Sequence, residues 1–267
     1  MERAMIDIHH HLLWEQDDGS TSLDLSIEMA QMAAADGITH IACTPHSNSY
    51  YNYNPEAVSA KIAELQQHLE RRNIPITLGR GCDFHTSYDN IRQAHEEPTR
   101  FSINSGSYLL VEIPDQPLPP SLNEIFYEMQ LDGLIPILTH PERNLTLQKD
   151  LSRLRDWLRS GVLVQVTAGS VTGRMGKTAQ RIAHELLSKR WVHFLATDAH
   201  NTSSRPPRMR EAMELVAEKY SSEYAHLLCI SNPLAAFMNK PMQPQPEPVG
   251  LYEDSVTTSW WQRILGR

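Results

Sequence analysis

The chain has 267 residues, 40% of them hydrophobic, which is enough for one large domain with a sizeable core. Its formal net charge of −8 gives no reason to expect nucleic-acid binding through bulk electrostatics. It has no apolar run long enough to span a membrane, and its N-terminus lacks the apolar region of a signal peptide. Three unpatterned cysteines are typical of reduced thiols, which predicts a cytoplasmic protein.

Short β-rich runs alternate with longer helical patterns. In chain order, the predicted strands are 5–9, 38–44, 74–78, 108–113, 134–139, 162–167 and 191–197. The predicted helices are 22–36, 57–72, 120–132, 151–160, 178–189 and 207–219. Strands that alternate with helices favour parallel strands joined by right-handed crossovers. Seven of them predict an α/β fold, a closed or nearly closed TIM-like barrel of the (β/α)7 type.

The composition changes near residue 241, where four prolines within eight residues predict an extended linker. After the linker, four apolar residues would share one face of a short helix: Trp260, Trp261, Ile264 and Leu265. We therefore divide the chain into a barrel, 1–240, and a linker with an amphipathic tail, 241–267. The apolar face is expected to pack on the barrel or on a neighbouring subunit, or to contact a partner or a membrane surface.

Imidazole and carboxylate side chains recur at or just after the ends of the predicted strands. They are His9, His11, Asp18, His46, Asp83, Glu112, His140, Asp198 and His200. In barrels of parallel strands, catalytic groups collect at the C-terminal ends of the strands. Nine such groups are too many for one ion and suit a cluster of divalent ions that activates water. Mixed nitrogen and oxygen ligation favours manganese, iron or zinc over calcium.

Side-chain alternation along the strands gives some orientations. His9 and His11 share one face of their strand, so His10 points away, and Asp7 is expected to orient a ligand imidazole. His85 shares a face with Asp83 and stays open as a further ligand, whereas Cys82 lies on the opposite face.

Several motifs together resemble the PHP (polymerase and histidinol phosphatase) family. They are Ile-Asp-Ile-His-His-His-Leu with a later Asp-Asp-Gly, Thr-Pro-His46, Leu-Thr-His140-Pro-Glu-Arg143, Thr-Ala-Gly-Ser170, and Thr-Asp198-Ala-His200 before Arg205-Pro-Pro. Within the family, residues 5–240 are most similar to bacterial protein tyrosine phosphatases of capsule and exopolysaccharide synthesis. The resemblance implies a distorted (β/α)7 PHP barrel, a trinuclear metal site at the C-terminal ends of the strands, and hydrolysis of phosphotyrosine.

The resemblance also implies how the donors are shared among three ions, of which manganese is the expected metal. The first ion would take His9, His11, Asp83 and Asp198. The second would take Asp83, Glu112 and His140, and the third Asp18, His46 and His200. The chain departs from the family at Asp83, where a bridging Glu is typical, so the bridging carboxylate is one methylene shorter.

Arg143 and Arg205 match the family positions that clamp phosphate oxygens, for which the planar guanidinium is suited. No general acid is assigned, although His46 or His200 would assist if either is not fully committed to metal. None of the three cysteines is followed six residues later by the arginine of a cysteine phosphatase. We therefore predict no covalent phosphoenzyme.

The leading hypothesis is a metal-dependent protein tyrosine phosphatase that acts on the tyrosine-rich tail of a bacterial tyrosine kinase controlling polysaccharide synthesis and export. A small-molecule phosphoesterase similar to histidinol phosphatase and a non-catalytic kinase-docking scaffold remain alternatives. An oligomer is possible. Loop 49–53, which contains three tyrosines, is expected either to line the mouth of the site or to be a partly exposed loop.

Overall fold

The structure is a computed structural model that describes residues 4–115 and 117–253. Its strands are β1 (Met5–His10), β2 (Ile38–Cys43), β3 (His46–Ser47), β4 (Thr77–Arg80), β5 (Asp83–His85), β6 (Tyr108–Glu112), β7 (Ile135–Thr139), β8 (Leu163–Thr167) and β9 (Phe194–Ala196). The α-helices are α1 (Leu23–Asp36), α2 (Pro55–Arg71), α3 (Tyr88–Glu96), α4 (Leu122–Leu131), α5 (Ser152–Arg159), α6 (Ala168–Val171), α7 (Lys177–Ser188), α8 (Arg210–Lys219), α9 (Ser222–His226) and α10 (Asn232–Phe237).

The strands form two parallel sheets, in the orders β1-β2-β4 and β3-β5-β6-β7-β8-β9. Strand β3 follows β2, and strand β5 follows β4, after a break of two residues. When each of these pairs is counted as one interrupted strand, the nine strands occupy seven positions around the barrel. Hydrogen bonds span both breaks, as from Gly81 N to Cys43 O at 2.9 Å. The outer edges are joined by Asp198 N donating to His9 O at 2.8 Å. The parallel α/β fold predicted from the sequence is confirmed.

A β-bulge in β1 re-aims its last side chains. Asp7 pairs with Ile41 and His10 with Cys43, so three steps along β1 match two along β2. Within the bulge, Ile8 belongs to the smaller apolar cluster, which Phe237 of α10 also joins. The next ring, His9, faces Asp83 and Asp198. The carboxylate of Asp7, in contrast, accepts a hydrogen bond from Thr197. Asp7 and His9 therefore face opposite sides although they are two residues apart.

The helices form and end where the local sequence provides caps. Ser22 caps α1 by accepting a hydrogen bond from Leu25 N at 3.2 Å. The helix ends at Gly37, whose φ of 95° is the left-handed conformation that glycine adopts without strain. The larger apolar cluster includes buried side chains of both strands and helices, such as Leu138 and Leu186.

The sequence prediction differs from the structure in several elements. The short strands β3 and β5 and the helices α6, α9 and α10 were not predicted. The third strand was predicted at 74–78, but β4 begins at Thr77, because Pro75 has no N–H to give to a ladder. Helix α3 was not predicted, since only Ile91 and Ala94 are apolar within it.

The chain after α10 has no helix or strand as far as residue 253, and it packs along the barrel. Val249 N donates to Lys189 O at 2.8 Å, and Leu251 is buried. The amphipathic tail predicted from Trp260 onward lies outside the described residues. Among the described residues, no helix is both long and apolar enough to cross a membrane.

Candidate metal centre

The nine predicted donors come together at one end of the barrel. They form four overlapping groups whose donor atoms lie within 4.8 Å of one another. The groups are His11, Asp18, His46 and His200; His9, Asp83 and His140; His9, His11 and Asp198; and His46, Asp83 and Glu112. His85, left open as a ligand by the sequence, belongs to none of these groups.

The spacing of the donor atoms suits coordination. His9 Nε2 lies 3.4 Å from both Asp83 Oδ2 and Asp198 Oδ1. His46 Nδ1 lies 3.1 Å from Asp83 Oδ2, and His200 Nε2 lies 3.5 Å from Asp18 Oδ1. Nitrogen and oxygen ligands about 2.0–2.2 Å from an ion are separated from one another by such distances.

Several of these atoms are buried without a hydrogen-bond partner among the described residues. They are both carboxylate oxygens of Asp83, Nδ1 of His46 and Nε2 of His200. A buried polar atom left unpaired is costly, so such atoms call for an explanation. Divalent cations held in the donor groups to which these residues belong would satisfy them. The residues present therefore fit a metal cluster.

The pKa values of two donor histidines also indicate a site suited to cations. Burial would lower the pKa of His9, but the carboxylates of Asp83 and Asp198 outweigh it and raise the pKa to about 9. Burial is likewise outweighed at His46, where Asp83 and Glu112 raise the pKa to about 10. The protonated imidazoles thus balance the charge of the buried carboxylates. A metal cation that binds the imidazoles would displace their protons.

Two donors have unusual backbones. His140 has a φ of 34° and Asp198 a φ of 52°, in the left-handed region that non-glycine residues rarely adopt. Each N–H is hydrogen-bonded to a neighbouring strand, from His140 to Gln165 O and from Asp198 to His9 O, both at 2.8 Å. Strain of this kind, held by surrounding hydrogen bonds, is characteristic of functional sites.

Two residues that the sequence analysis did not select orient the donor histidines. Gln165 Oε1 lies 3.0 Å from His9 Nδ1. Asp17 Oδ2 lies 2.6 Å from His11 Nδ1 and also accepts a hydrogen bond from His46 N at 3.0 Å. Such partners fix the ring orientation and the tautomer of a ligand histidine.

The role predicted for Asp7 was wrong. Its carboxylate accepts hydrogen bonds from Thr197 N at 3.0 Å and Thr197 Oγ1 at 2.5 Å, and from His9 N at 3.3 Å. It contacts no ligand imidazole in these hydrogen bonds, because the bulge in β1 turns it to the opposite side of the strand from His9. Asp7 instead anchors the end of β9.

Arg143 and Arg205 meet at the same donor. The guanidinium of each donates to Oδ2 of Asp198, and each side chain keeps about a quarter of its surface exposed. Asp198 Oδ1 faces His9 and His11 instead. One oxygen of Asp198 thus contacts the donor histidines, and the other contacts the two guanidinium groups.

A cavity of about 210 Å³ opens beside the donors. Its lining includes Glu112, His140 and Arg143 together with His85 and Ile113. The cavity lies between the ends of β5, β6 and β7. Because His140 lines it, the cavity gives access from solvent to the donor group of His9, Asp83 and His140.

The three tyrosines of loop 49–53 lie in different surroundings. The Tyr51 ring lies parallel to His46 at an interplanar angle of 16°, with 6.2 Å between centroids. Tyr50 is exposed and Tyr53 is buried. Of these tyrosines, Tyr51 is the one whose ring stacks on a donor residue.

The cysteines offer no nucleophile. All three are free and fully buried, and burial raises the pKa of each thiol: Cys43, Cys82 and Cys229. A thiol is reactive only as an accessible thiolate.

A parallel barrel with clustered imidazole and carboxylate donors at the strand ends is an arrangement suited to metal-assisted hydrolysis. Residues 5–238 match the family described as "Capsular polysaccharide synthesis, CpsB/CapC", and the chain belongs to that family.

Two relatives extend over nearly the whole chain. The tyrosine-protein phosphatase YwqE of Bacillus subtilis (strain 168) is 33% identical over 246 residues, which are 92% of this chain and 96% of the relative. The tyrosine-protein phosphatase CpsB of Streptococcus pneumoniae is 27% identical over 244 residues, which are 88% of this chain and 99% of the relative.

Solved structures agree with the fold. A crystal structure from work on YwqE and CpsB, described as "unique metal-dependent tyrosine phosphatases", superposes with a TM-score of 0.85 at 34% identity, covering 92% of this chain and 99% of that one. The phosphotriesterase homology protein of Escherichia coli superposes with a TM-score of 0.57 at 11% identity, covering 89% and 99%, and shows the fold alone.

Proposed function

We propose that this protein is a metal-dependent protein tyrosine phosphatase that hydrolyses phosphotyrosine without a covalent phosphoenzyme. The observation that carries the proposal is that nine donor side chains converge at one end of the barrel, and that two guanidinium groups contact one of them, Asp198. The named activities of the similar proteins support it.

The proposed metal content is three divalent ions, with manganese favoured and iron or zinc as alternatives. The nine donors would hold them, with Asp83 shared between two of the groups. When bound, such ions supply Lewis-acid activation of water and neutralise the charge of the phosphate. Gln165 and Asp17 would keep His9 and His11 oriented as ligands.

Arg143 and Arg205 would bind the phosphate oxygens that do not react. Their guanidinium groups already lie together at Asp198, and a phosphate, like a carboxylate, offers two oxygens to the planar guanidinium in bidentate fashion. The leaving phenolate has an ordinary pKa of about 10, so it can depart without a dedicated acid. Assistance from His46 or His200 stays a prediction.

The proposed substrate is the tyrosine-rich tail of a bacterial tyrosine kinase that controls polysaccharide synthesis and export. The family's description as capsular polysaccharide synthesis supports this assignment. We also propose a cytoplasmic location, since the three cysteines are unpaired in the structure. Oligomerisation, and contact of the tail with a partner or a membrane surface, stay predictions.

The test is a comparison of three substrates with the manganese-loaded protein: a phosphotyrosine peptide, a phosphoserine peptide of the same sequence, and histidinol phosphate. We expect kcat/KM to be highest for the phosphotyrosine peptide. A higher value for histidinol phosphate would favour the small-molecule phosphoesterase. No hydrolysis of any of the three by metal-loaded, folded protein would favour the docking scaffold.

A further inference from the structure

The cavity beside the donor groups contains an imidazole with no assigned role. His85 lines this cavity, is only partly buried, and belongs to none of the four donor groups. In the part of the chain that the structure describes, its ring makes no hydrogen bond or ion pair. A polar ring left free beside a reactive centre is available to a substrate.

The backbone of His85, in contrast, is fixed. Its carbonyl oxygen accepts hydrogen bonds from Asn90 Nδ2 and from Ser87 N, both at 2.8 Å. Asn90 Nδ2 also donates to Ser47 O at 2.7 Å, which ties β5 to β3. The ring is therefore free to bind a substrate, while its position along β5 is set by the fold.

Strand geometry places His85 two residues beyond the donor Asp83 and level with the donor Glu112. Asp83 and His85 lie on the same face of β5, because side chains alternate with a period of two. Two residues advance a strand by about 6–7 Å at roughly 3.3 Å per residue. His85 is the register partner of Glu112 on β6. The two residues that follow Glu112 in the chain, Ile113 and Pro114, also line the cavity.

The two loops that line the rest of the cavity are held in place as well. Asn144 Nδ2 donates to Pro114 O at 3.0 Å, and Thr146 Oγ1 donates to Asp115 O at 2.9 Å. These bonds join the loop after β6 to the loop after β7. The cavity between the two loops is smaller than pockets for drug-sized ligands, which are about 300–1,000 Å³, and suits a single side chain.

The cavity is lined both by groups that would hold a phosphoryl group, Glu112, His140 and Arg143, and by His85. A phosphotyrosine with its phosphoryl group at these residues would place its ring in the cavity and leave the peptide backbone outside. A phosphoserine, which lacks the ring, would need its backbone to enter the cavity.

We infer that the cavity between the ends of β5, β6 and β7 is the subsite for the phenyl ring of phosphotyrosine, with His85 as the side chain that packs against the ring. The inference rests on the proposed function and adds to it a structural basis for the preference for phosphotyrosine. Contacts between aromatic rings are favourable enough to affect substrate binding several-fold.

The experiment measures KM and kcat for a phosphotyrosine peptide with metal-loaded protein and the variants His85→Ala and His85→Phe. We expect His85→Ala to raise KM about five- to tenfold with little change in kcat, and His85→Phe to restore KM to near the native value. Inorganic phosphate, which has no ring, should inhibit all three proteins equally. His95→Ala, which removes an exposed histidine of α3, is the matched control.

An unchanged KM in His85→Ala, or an equal loss in His85→Phe, would overturn the inference while leaving the phosphatase assignment intact. So would a rise in KM in Tyr51→Ala without one in His85→Ala, because it would place the ring beside His46. Failure of the native protein to hydrolyse the peptide would instead contradict the proposed function. Equal metal content among the variants excludes indirect effects through Asp83.

Discussion

Asp17 influences the centre without belonging to any donor group. One of its oxygens contacts the His11 ring and accepts from His46 N, and the other accepts from Gly19 N at 2.9 Å. The imidazole holds the pKa of this carboxyl below its usual value despite the opposing effect of burial. A single buried carboxylate therefore organises two histidines and the turn that carries Asp18.

Asp17→Asn should weaken metal binding about 10- to 100-fold, because an amide cannot replace the charged partner of His11. Titration of the stripped protein with Mn²⁺, followed by metal content and by activity, measures the change. Asp24→Asn removes the same charge from an exposed position on α1 and should leave metal affinity unchanged. Equal affinities in the two variants would contradict the role of Asp17.

Arg205→Ala should lower kcat/KM for a phosphotyrosine peptide about 10- to 100-fold, as expected when a charged hydrogen bond to phosphate is lost. Arg208→Ala removes the same charge from an exposed neighbour and should have little effect. The steady-state constants of the two variants, together with their inhibition by inorganic phosphate, measure the difference. Comparable losses of kcat/KM in both variants would contradict a specific contact between Arg205 and phosphate, because loss of any nearby positive charge would then have the same effect.

At the scale of elements, the helices pack against the barrel through apolar faces that the sequence pattern identifies. Leu186 of α7 is fully buried, whereas Leu131 at the end of α4 is 68% exposed. Leu186→Ala should reduce the free energy of unfolding by about 2–5 kcal/mol, because it leaves a cavity in the core. Leu131→Ala should change it by no more than about 0.5 kcal/mol. Denaturant titration of both variants tests the burial pattern, and similar losses would contradict it.

The elements also show what the sequence could and could not predict. Strand ends and donor positions could be predicted together, because motifs such as Asp198-Ala-His200 follow apolar runs directly. The bulge in β1 could not, since it depends on pairing with β2. The contact between Gln165 and His9 joins residues 156 positions apart, and no local pattern signals it. Helix α3 was missed because it presents few apolar side chains.

At the scale of the whole molecule, the barrel gathers buried carboxylates into a chain that already carries a net charge of −8. Bound cations would offset part of that charge and would bind the folded state alone. At 100 times the dissociation constant, a single such ion stabilises a protein by about 2.7 kcal/mol. The melting temperature should therefore fall after chelation and recover with Mn²⁺. His9→Ala should lose most of this shift, and His226→Ala, an exposed control, should keep it.

The most direct test of the metal-dependent mechanism is hydrolysis of a phosphotyrosine peptide by chelator-stripped protein, with and without added Mn²⁺, beside the His140→Ala variant. We predict no activity without metal, recovery in the native protein, and little recovery in the variant, because His140 shares a donor group with His9 and Asp83 and is proposed as a metal ligand. Equal hydrolysis with and without metal, or full recovery in His140→Ala, would contradict the role proposed for the donor cluster.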